Sequence, residues 1–123
     1  MKEIDPGHIY SLQIIDGRSY EVYSNLVFVK RVGDKYPGNT LPHSGTNIQE
    51  VLRACIARLA YLDKQIPDGA TQEAKMHLEA AVWYLELRAA KRHDRTPPKL
   101  QEAVNGQTCT KCGHVGCKGE CHE

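Results

Sequence analysis

The chain has 123 residues, a length that allows one domain with an appendage. Charged residues make up 25% and the formal net charge is +1, which does not suggest a general binder of polyanions. No apolar run approaches the roughly 18 residues of a membrane-crossing helix, so no membrane association is expected. The opening MKEIDPGHIY lacks the apolar centre of a secretory leader. The clustered cysteines are of metal-site type rather than an extracellular disulfide framework, and a cytoplasmic protein is expected. One Phe and one Trp make a modest core, so a homo-oligomer is plausible.

Residues 8 to 32 read as β structure. His8 to Ile15 alternates with strand periodicity, and Asp16-Gly17 is the strongest short hairpin signal, favouring a type I′ turn. Ser19 to Tyr23 and Leu26 to Arg31 supply two further strands of a small antiparallel meander. Residues 33 to 47, GDKYPGNTLPHSGTN, read as a long loop.

Thr46 or Asn47 can cap a first helix, with Glu50 three residues beyond Asn47 in the manner of a capping box. It would run to about Gln65, its apolar face made by Leu52, Cys55, Ile56, Leu59, Leu62 and Ile66. Cys55 reads there as a small buried hydrophobe. Pro67-Asp68-Gly69 turns the chain. Thr71 caps a second helix reaching about His93, and Thr96-Pro97-Pro98 stops it. So short a connection implies an antiparallel α-hairpin.

On the second helix, Leu78, Ala81, Leu85, Arg88, Arg92 and Arg95 fall on one narrow stripe at about 100° per residue. The seam is apolar for two turns and then becomes arginine. Trp83 and Leu87 point the other way, so the helix needs a neighbour on both sides: the first helix, and either the sheet or a second copy of the chain. The arginines fit two accounts. Cations complement the dipole at a helix C-terminus. Arg88 and Arg92 at i and i+4 also converge on one spot, and guanidinium forks match phosphate. Spacing alone leaves both open.

The last fifteen residues hold Cys109, Cys112, Cys117 and Cys121, spaced C-x2-C-x4-C-x3-C, with His114 and His122 as possible substitute ligands. Too short for a core, this tail is expected to bind a structural Zn²⁺ in a closed tetrahedral site. Between Cys109 and Cys121 the only large apolar residue is Val115, and stacking platforms for bases are missing, so nucleic acid is not the expected partner. No nucleophile has an adjacent base and orienting group. His8, His43, His77 and His93 are scattered, and Glu79 and Glu86 read as helix-surface acids. No enzyme is expected.

Gly45-Thr46, Leu52, Arg58-Leu59, the stretch Leu78-Glu79-Ala80-Ala81-Val82-Trp83-Tyr84, and Arg88-x3-Arg92-x2-Arg95 together resemble the helical hairpin of viral immune-signal sponges. These are the Thoeris anti-defence and anti-CBASS proteins with which phages sequester nucleotide second messengers. The resemblance covers roughly residues 26 to 95. The run Gly45-Thr46 with Gln49 to Arg53 also looks like that of small phage proteins.

The resemblance implies a phage protein acting in the infected bacterial host, binding cyclic ADP-ribose isomers or cyclic oligonucleotides without hydrolysing them. It implies a homo-oligomer, a dimer or a hexamer, with pockets between subunits. Carried over, Arg88 and Arg92, with Arg95 completing their motif, hold phosphate. Tyr61 stacks on adenine and Asp94 meets a ribose hydroxyl. The longer loop at residues 33 to 44, the hairpin turn and the cysteine tail depart from the family pattern.

The expected fold is α+β: a small N-terminal antiparallel sheet, then an antiparallel two-helix hairpin, then a small zinc-binding tail. The expected division is a ligand-binding domain at 1–95, a polar linker at 96–108 and the tail at 109–123. The alternative functions are a zinc-containing nucleic-acid-associated regulator and a plain interaction protein.

Overall fold

The computed structural model describes residues 1–15, 22–32, 40–110 and 113–116. The chain divides into two compact units, Met1–Asn47 and Ile48–His122.

In the first unit, β1 (Lys2–Asp5), β2 (Ile9–Ile14) and β3 (Val22–Val27) form an antiparallel sheet in the order β1-β2-β3. The β2–β3 register runs without a slip from Ile9 opposite Val27 to Ile14 opposite Val22. The β1–β2 pairing carries an irregularity between Glu3 and Asp5. Around the intervening turn the His8 N–H donates to the Asp5 carbonyl at 2.9 Å. The expected pairing of the two strands flanking Asp16-Gly17 is present; the turn itself lies outside the described residues, as do Ser19 to Glu21. β1 was not expected from the sequence.

A separate antiparallel pair, β4 (Lys30–Val32) and β5 (Thr40–His43), places a strand inside the stretch read as loop. Residues 33–39 of that stretch lie outside the described residues. Beyond β3, the Thr46 N–H donates to the Val27 carbonyl and the Val29 N–H to the Thr46 carbonyl, both at 2.8 Å. This parallel contact explains Gly45 in the Gly45-Thr46 pair. A Cβ at position 45 would overlap the Phe28 backbone, so only glycine lets the two segments approach. The unit is held further by an edge-to-face contact of Tyr10 and Phe28, with ring centroids 5.9 Å apart. Lys30 Nζ lies 3.1 Å from Asp5 Oδ2. Lys30 and, secondarily, His8 hold the Asp5 carboxyl below its ordinary value.

The second unit contains α1 (Ile48–Gln65), α2 (Gly69–Arg92) and α3 (Leu100–Asn105). Contacts between Asp63 and Gln72 near the connection, and between Arg53 and Glu86 far from it, show α1 and α2 antiparallel. The helix starts differ slightly from expectation. Asp68, not Thr71, caps α2, its carboxylate accepting from the Ala70 N–H at 2.7 Å. At the other end the Arg95 N–H reaches the Ala90 carbonyl at 2.9 Å, with Asp94 left-handed at φ 51°. That six-to-one bond closes α2 in the Schellman manner.

Every buried hydrophobic side chain among the described residues lies in this unit: Ile56, Val82, Ala89, Ala90 and Ala103. Leu52, Leu78, Trp83 and Val104 pack around Ile56, Val82 and Ala103. Cys55 is exposed, against the expectation that it is buried. The helix turns it away from α2, and Ile56 takes the inward position.

α3 falls within the stretch read as a linker. It supplies Ala103, fully buried, to the core. The Trp83 indole N–H donates to the Pro98 carbonyl at 3.2 Å. The Trp83 side of α2 is therefore met by the chain's own residues 98–104, a neighbour the sequence reading did not consider. The fold class is α+β, a three-stranded antiparallel sheet followed by helices. Among the described residues no helix is long and apolar enough to cross a membrane.

Candidate functional site

The side of α2 that packs inward is centred on Glu86. Val82, Glu86, Ala89 and Ala90 are its buried residues, all within about 60° of Glu86 at 100° per residue. The seam of Ala81, Leu85, Arg88 and Arg92 lies about 100° to 160° away from it. Leu78 reaches the edge of the core, Ala81 and Leu85 are half-buried, and Arg88 and Arg92 are exposed. The arginines thus continue an outward stripe rather than the buried one. Sequence periodicity could not choose between the two because α2 is apolar on several sides. Small residues at 82, 89 and 90 admit close helix packing, and a partner neutralises the one acid among them.

Arg88 and Arg92 stand one turn apart, about 6 Å along the axis. Arg95 is half-buried and sits just past the helix end, directly after Asp94. Asp94 is exposed, and its left-handed backbone gives it a structural role at the helix terminus whatever its carboxylate meets. Tyr61 is 54% exposed on α1. Its hydroxyl accepts from Gln65 Nε2 at 3.1 Å, and the Arg58 guanidinium lies 5.2 Å from the ring centroid. Tyr61 and Arg58 therefore form a cation–π pair on the surface. Arg58 was legible only as part of the Arg58-Leu59 pair, without a role.

These groups do not converge within one chain. Arg53 pairs with Glu86, which fixes the level of α1 against α2. From there Tyr61 is about 12 Å toward the hairpin turn, and Arg88 and Arg92 are about 3 Å and 9 Å the other way. Tyr61 also lies about 140° round α1 from buried Ile56, so it faces away from α2 as Arg88 faces away from α1.

A second cluster does converge. Glu86 is 1% exposed, and with Val82 it is one of the two largest fully buried side chains. Its Oε1 accepts from Arg53 Nη2 at 3.0 Å, and its Oε2 from the Val115 backbone N–H at 3.1 Å. Arg53 distributes its remaining donors around the unit. Nε and Nη2 reach the Ala103 carbonyl at 3.3 and 2.8 Å. Nη1 reaches Glu50 Oε1 at 2.9 Å and Thr108 Oγ1 at 3.0 Å. The Thr108 hydroxyl donates in turn to Glu50 Oε1 at 2.6 Å. That hydroxyl first, and Arg53 second, hold the Glu50 carboxyl below its ordinary 4.5. One guanidinium thereby joins α1, α2, α3 and the start of the tail. Glu86 is not the surface acid its sequence context suggests. The signal that could have found it is Gln49, Glu50 and Arg53 crowding one helix turn opposite an acid flanked by Leu85 and Leu87.

The tail begins as a turn. Thr108 and Val115 form an antiparallel bridge. The Cys109 N–H donates to the His114 carbonyl at 3.1 Å, and the Gly113 N–H to the Cys109 carbonyl at 2.8 Å. Gly113 is left-handed at φ 78°, the conformation a glycine after C-x2-C provides. Cys109 is half-buried. His114 Nδ1 lies 3.3 Å from Gln49 Nε2 and 4.0 Å from Glu86 Oε2. Its ring is 5.7 Å from that of His93. Cys112, Cys117, Cys121 and His122 lie outside the described residues. Among the described residues no three His, Cys, Asp or Glu side chains are grouped to hold a metal.

A shallow groove of about 370 Å³ runs between α3 and this turn, lined by Gln101, Glu102, Asn105, Gly106 and Val115. None of the expected ligand residues borders it. Comparison of the chain with protein-family models, curated proteins and solved structures gave no match.

Proposed function

We propose that the protein is a sponge for nucleotide-derived second messengers, cyclic ADP-ribose isomers or cyclic oligonucleotides, which it holds without hydrolysis in the cytoplasm of a phage-infected bacterium. The ligand class comes from the resemblance to immune-signal sponges. The observation that carries the binding chemistry is the outward stripe of α2, where half-buried Ala81 and Leu85 lead to exposed Arg88 and Arg92 one turn apart. Two guanidinium groups so spaced can share a pyrophosphate or two neighbouring phosphates. Arg95 follows them at the helix end. The Tyr61–Arg58 pair offers a flat cationic surface to adenine, and Asp94 a carboxylate to a ribose hydroxyl.

Since Tyr61 and Arg88 face away from each other within one chain, one ligand that meets both does so between copies. The working form on this reading is a dimer or a hexamer. Cys109, Cys112, Cys117 and Cys121 would hold one structural Zn²⁺. The half-buried Cys109 and the glycine turn at Gly113 fit the first half of a C-x2-C knuckle.

The test is calorimetry and native mass spectrometry against cyclic ADP-ribose isomers and cyclic di- and trinucleotides. Binding at 10 µM or tighter is expected, with ligand recovered intact. Arg88→Ala or Arg92→Ala should weaken it by about tenfold or more, the worth of one charge-assisted hydrogen bond. A chain that binds no member of the panel, or binds equally well without both arginines, refutes the sponge. In that case the arginines only complement the helix dipole.

A further inference from the structure

We propose that His8 and His43 form a binding site for a late first-row divalent cation in the sheet unit, with Asp5 holding the His8 ring in the orientation that ligation needs. The site is independent of the arginines of α2 and of the cysteines.

The two histidines are far apart in sequence, and the backbone gathers them. His8 stands in the turn between β1 and β2, and both its backbone groups are tied. Its N–H donates to the Asp5 carbonyl at 2.9 Å, and its carbonyl accepts from the Phe28 N–H at 2.7 Å. The Gly7 N–H donates to the Tyr10 hydroxyl at 2.9 Å, with Gly7 left-handed at φ 74°. His43 ends β5, opposite Lys30 of β4. Lys30 in turn reaches Asp5, its Nζ 3.3 Å from Oδ1 and 3.1 Å from Oδ2. That ion pair ties the β4–β5 ribbon to the β1–β2 turn. The two imidazoles meet there, with ring centroids 5.4 Å apart and planes at 34°.

The chemistry of the donors points to a metal. Asp5 Oδ2 lies 3.0 Å from His8 Nδ1. Lys30 first, and His8 second, hold the Asp5 carboxyl below its ordinary value. It is therefore an acceptor only, and Nδ1 carries the proton. In the neutral ring the lone pair then sits on Nε2. A carboxylate on one nitrogen and a lone pair on the other is the arrangement of a metal-ligating histidine. The His43 ring is exposed and makes no hydrogen bond or ion pair among the described residues. Two imidazoles on one tetrahedral ion, with bonds of about 2.0–2.1 Å, bring their centroids to about 5 Å, close to the spacing seen. Lys30 does not turn this into an anion site, because its ammonium is engaged by both oxygens of Asp5. The protein supplies two ligands rather than three, so the ion keeps water in its remaining positions and exchanges readily. Imidazole donors favour Zn²⁺, Ni²⁺ or Cu²⁺ over Mg²⁺ or Ca²⁺.

The test uses the full chain, ¹⁵N-labelled and titrated with zinc chloride, while NMR follows the side-chain nitrogens of the histidines. Assignment to His8 and His43 keeps metal taken up at the cysteines out of the reading. Without metal, at a pH where the ring is neutral, His8 should carry its proton on Nδ1. On titration His8 Nε2 and the His43 ring should respond together along one binding curve. His43→Ala, at an exposed position, should weaken the His8 response by about tenfold or more, and Asp5→Asn should weaken zinc by about tenfold. Cu²⁺ should displace Zn²⁺ from both rings. The site is overturned if neither ring responds at about 1 mM zinc, or if His8 responds equally well in His43→Ala. It is also overturned if both rings respond to inorganic phosphate and not to zinc. A His8 ring protonated on Nε2 overturns the role of Asp5, as does an Asp5→Asn protein with the zinc affinity of wild type.

Discussion

Replacing Arg53 by Met strands the most buried charge among the described residues. The substitution keeps length and apolar volume but removes five hydrogen bonds: two to the Ala103 carbonyl and one each to Glu86, Glu50 and Thr108. Glu50 and Thr108 keep each other and water, since Glu50 is exposed. Glu86 cannot recover in that way at 1% exposure. Removing one partner of a buried ion pair costs about 3–5 kcal/mol. A unit of roughly 75 residues has about 4–11 kcal/mol in all, at 0.05–0.15 kcal/mol per residue. Arg53→Met should therefore leave the helical unit marginal or unfolded. The double variant Arg53→Met with Glu86→Leu removes both charges and should recover much of the loss, because no buried charge is left alone. Urea unfolding followed by circular dichroism and by the emission of the single Trp, Trp83, measures both. A cost below about 1 kcal/mol for Arg53→Met, or a double variant no better than the single one, would refute the assignment of Arg53 and Glu86 as a buried pair.

Asp94→Gly relieves a left-handed backbone that costs a non-glycine residue about 1–2 kcal/mol, so melting temperature should rise or hold. If ligand affinity falls in the same variant, the carboxylate touches ligand; if it is unchanged, Asp94 only closes the helix. Asp68→Ala removes the α2 cap and should cost about 1 kcal/mol in urea unfolding. Glu50 has its carboxyl held below 4.5 by Thr108 and Arg53. A depressed carboxylate contributes stability that is present above its unfolded value and is lost as pH falls through the folded one. Acid titration of the helical unit should therefore show a loss beginning below about pH 4.5 that is reduced in Thr108→Val; an identical acid limb in both proteins would contradict the contact.

The helices were legible because their signals are local. An apolar repeat, a polar cap and Pro67-Asp68-Gly69 between them place α1 and the end of α2 to within a residue, while α2 begins three residues before the start that a Thr71 cap implies. β2 was legible for the same reason, alternation before a turn signal, whereas β3 (Val22–Val27) runs through Ser24 and Asn25, the gap left between the expected strands Ser19 to Tyr23 and Leu26 to Arg31. β1 and β5 were not, since KEID and TLPH carry no run of strand formers. α3 hid in a polar stretch because only Ala103 of its six residues is buried. The buried face of α2 was misjudged for a deeper reason. Periodicity ranks residues by hydropathy, and Glu86 ranks as surface. It is inside because Arg53, 33 residues earlier, is brought one helix spacing away, and no window along one helix contains that fact.

The same displacement changes the meaning of the arginines. Were Leu78, Ala81 and Leu85 the face buried against α1, Arg88 and Arg92 would end a packed seam and the dipole account would suffice. With Glu86 at the centre of the inner side, a half-buried apolar patch beside two arginines is left facing outward. Dipole complementation asks for positive charge near the last turn and is indifferent to which side carries it. It gives no reason for Ala81 and Leu85 to share the side of Arg88. An apolar surface with a cationic end does what a nucleotide site between copies requires: the apolar part buries against a partner or a base, and the guanidinium groups meet phosphate where water is already partly excluded. Tyr61, facing away from α2 near the other end of the hairpin, can complete such a site only from a second copy. Oligomer and binding therefore stand or fall together. A chain that captured its ligand tightly as a monomer would have to do so without Tyr61, and Tyr61→Ala would then leave the affinity unchanged.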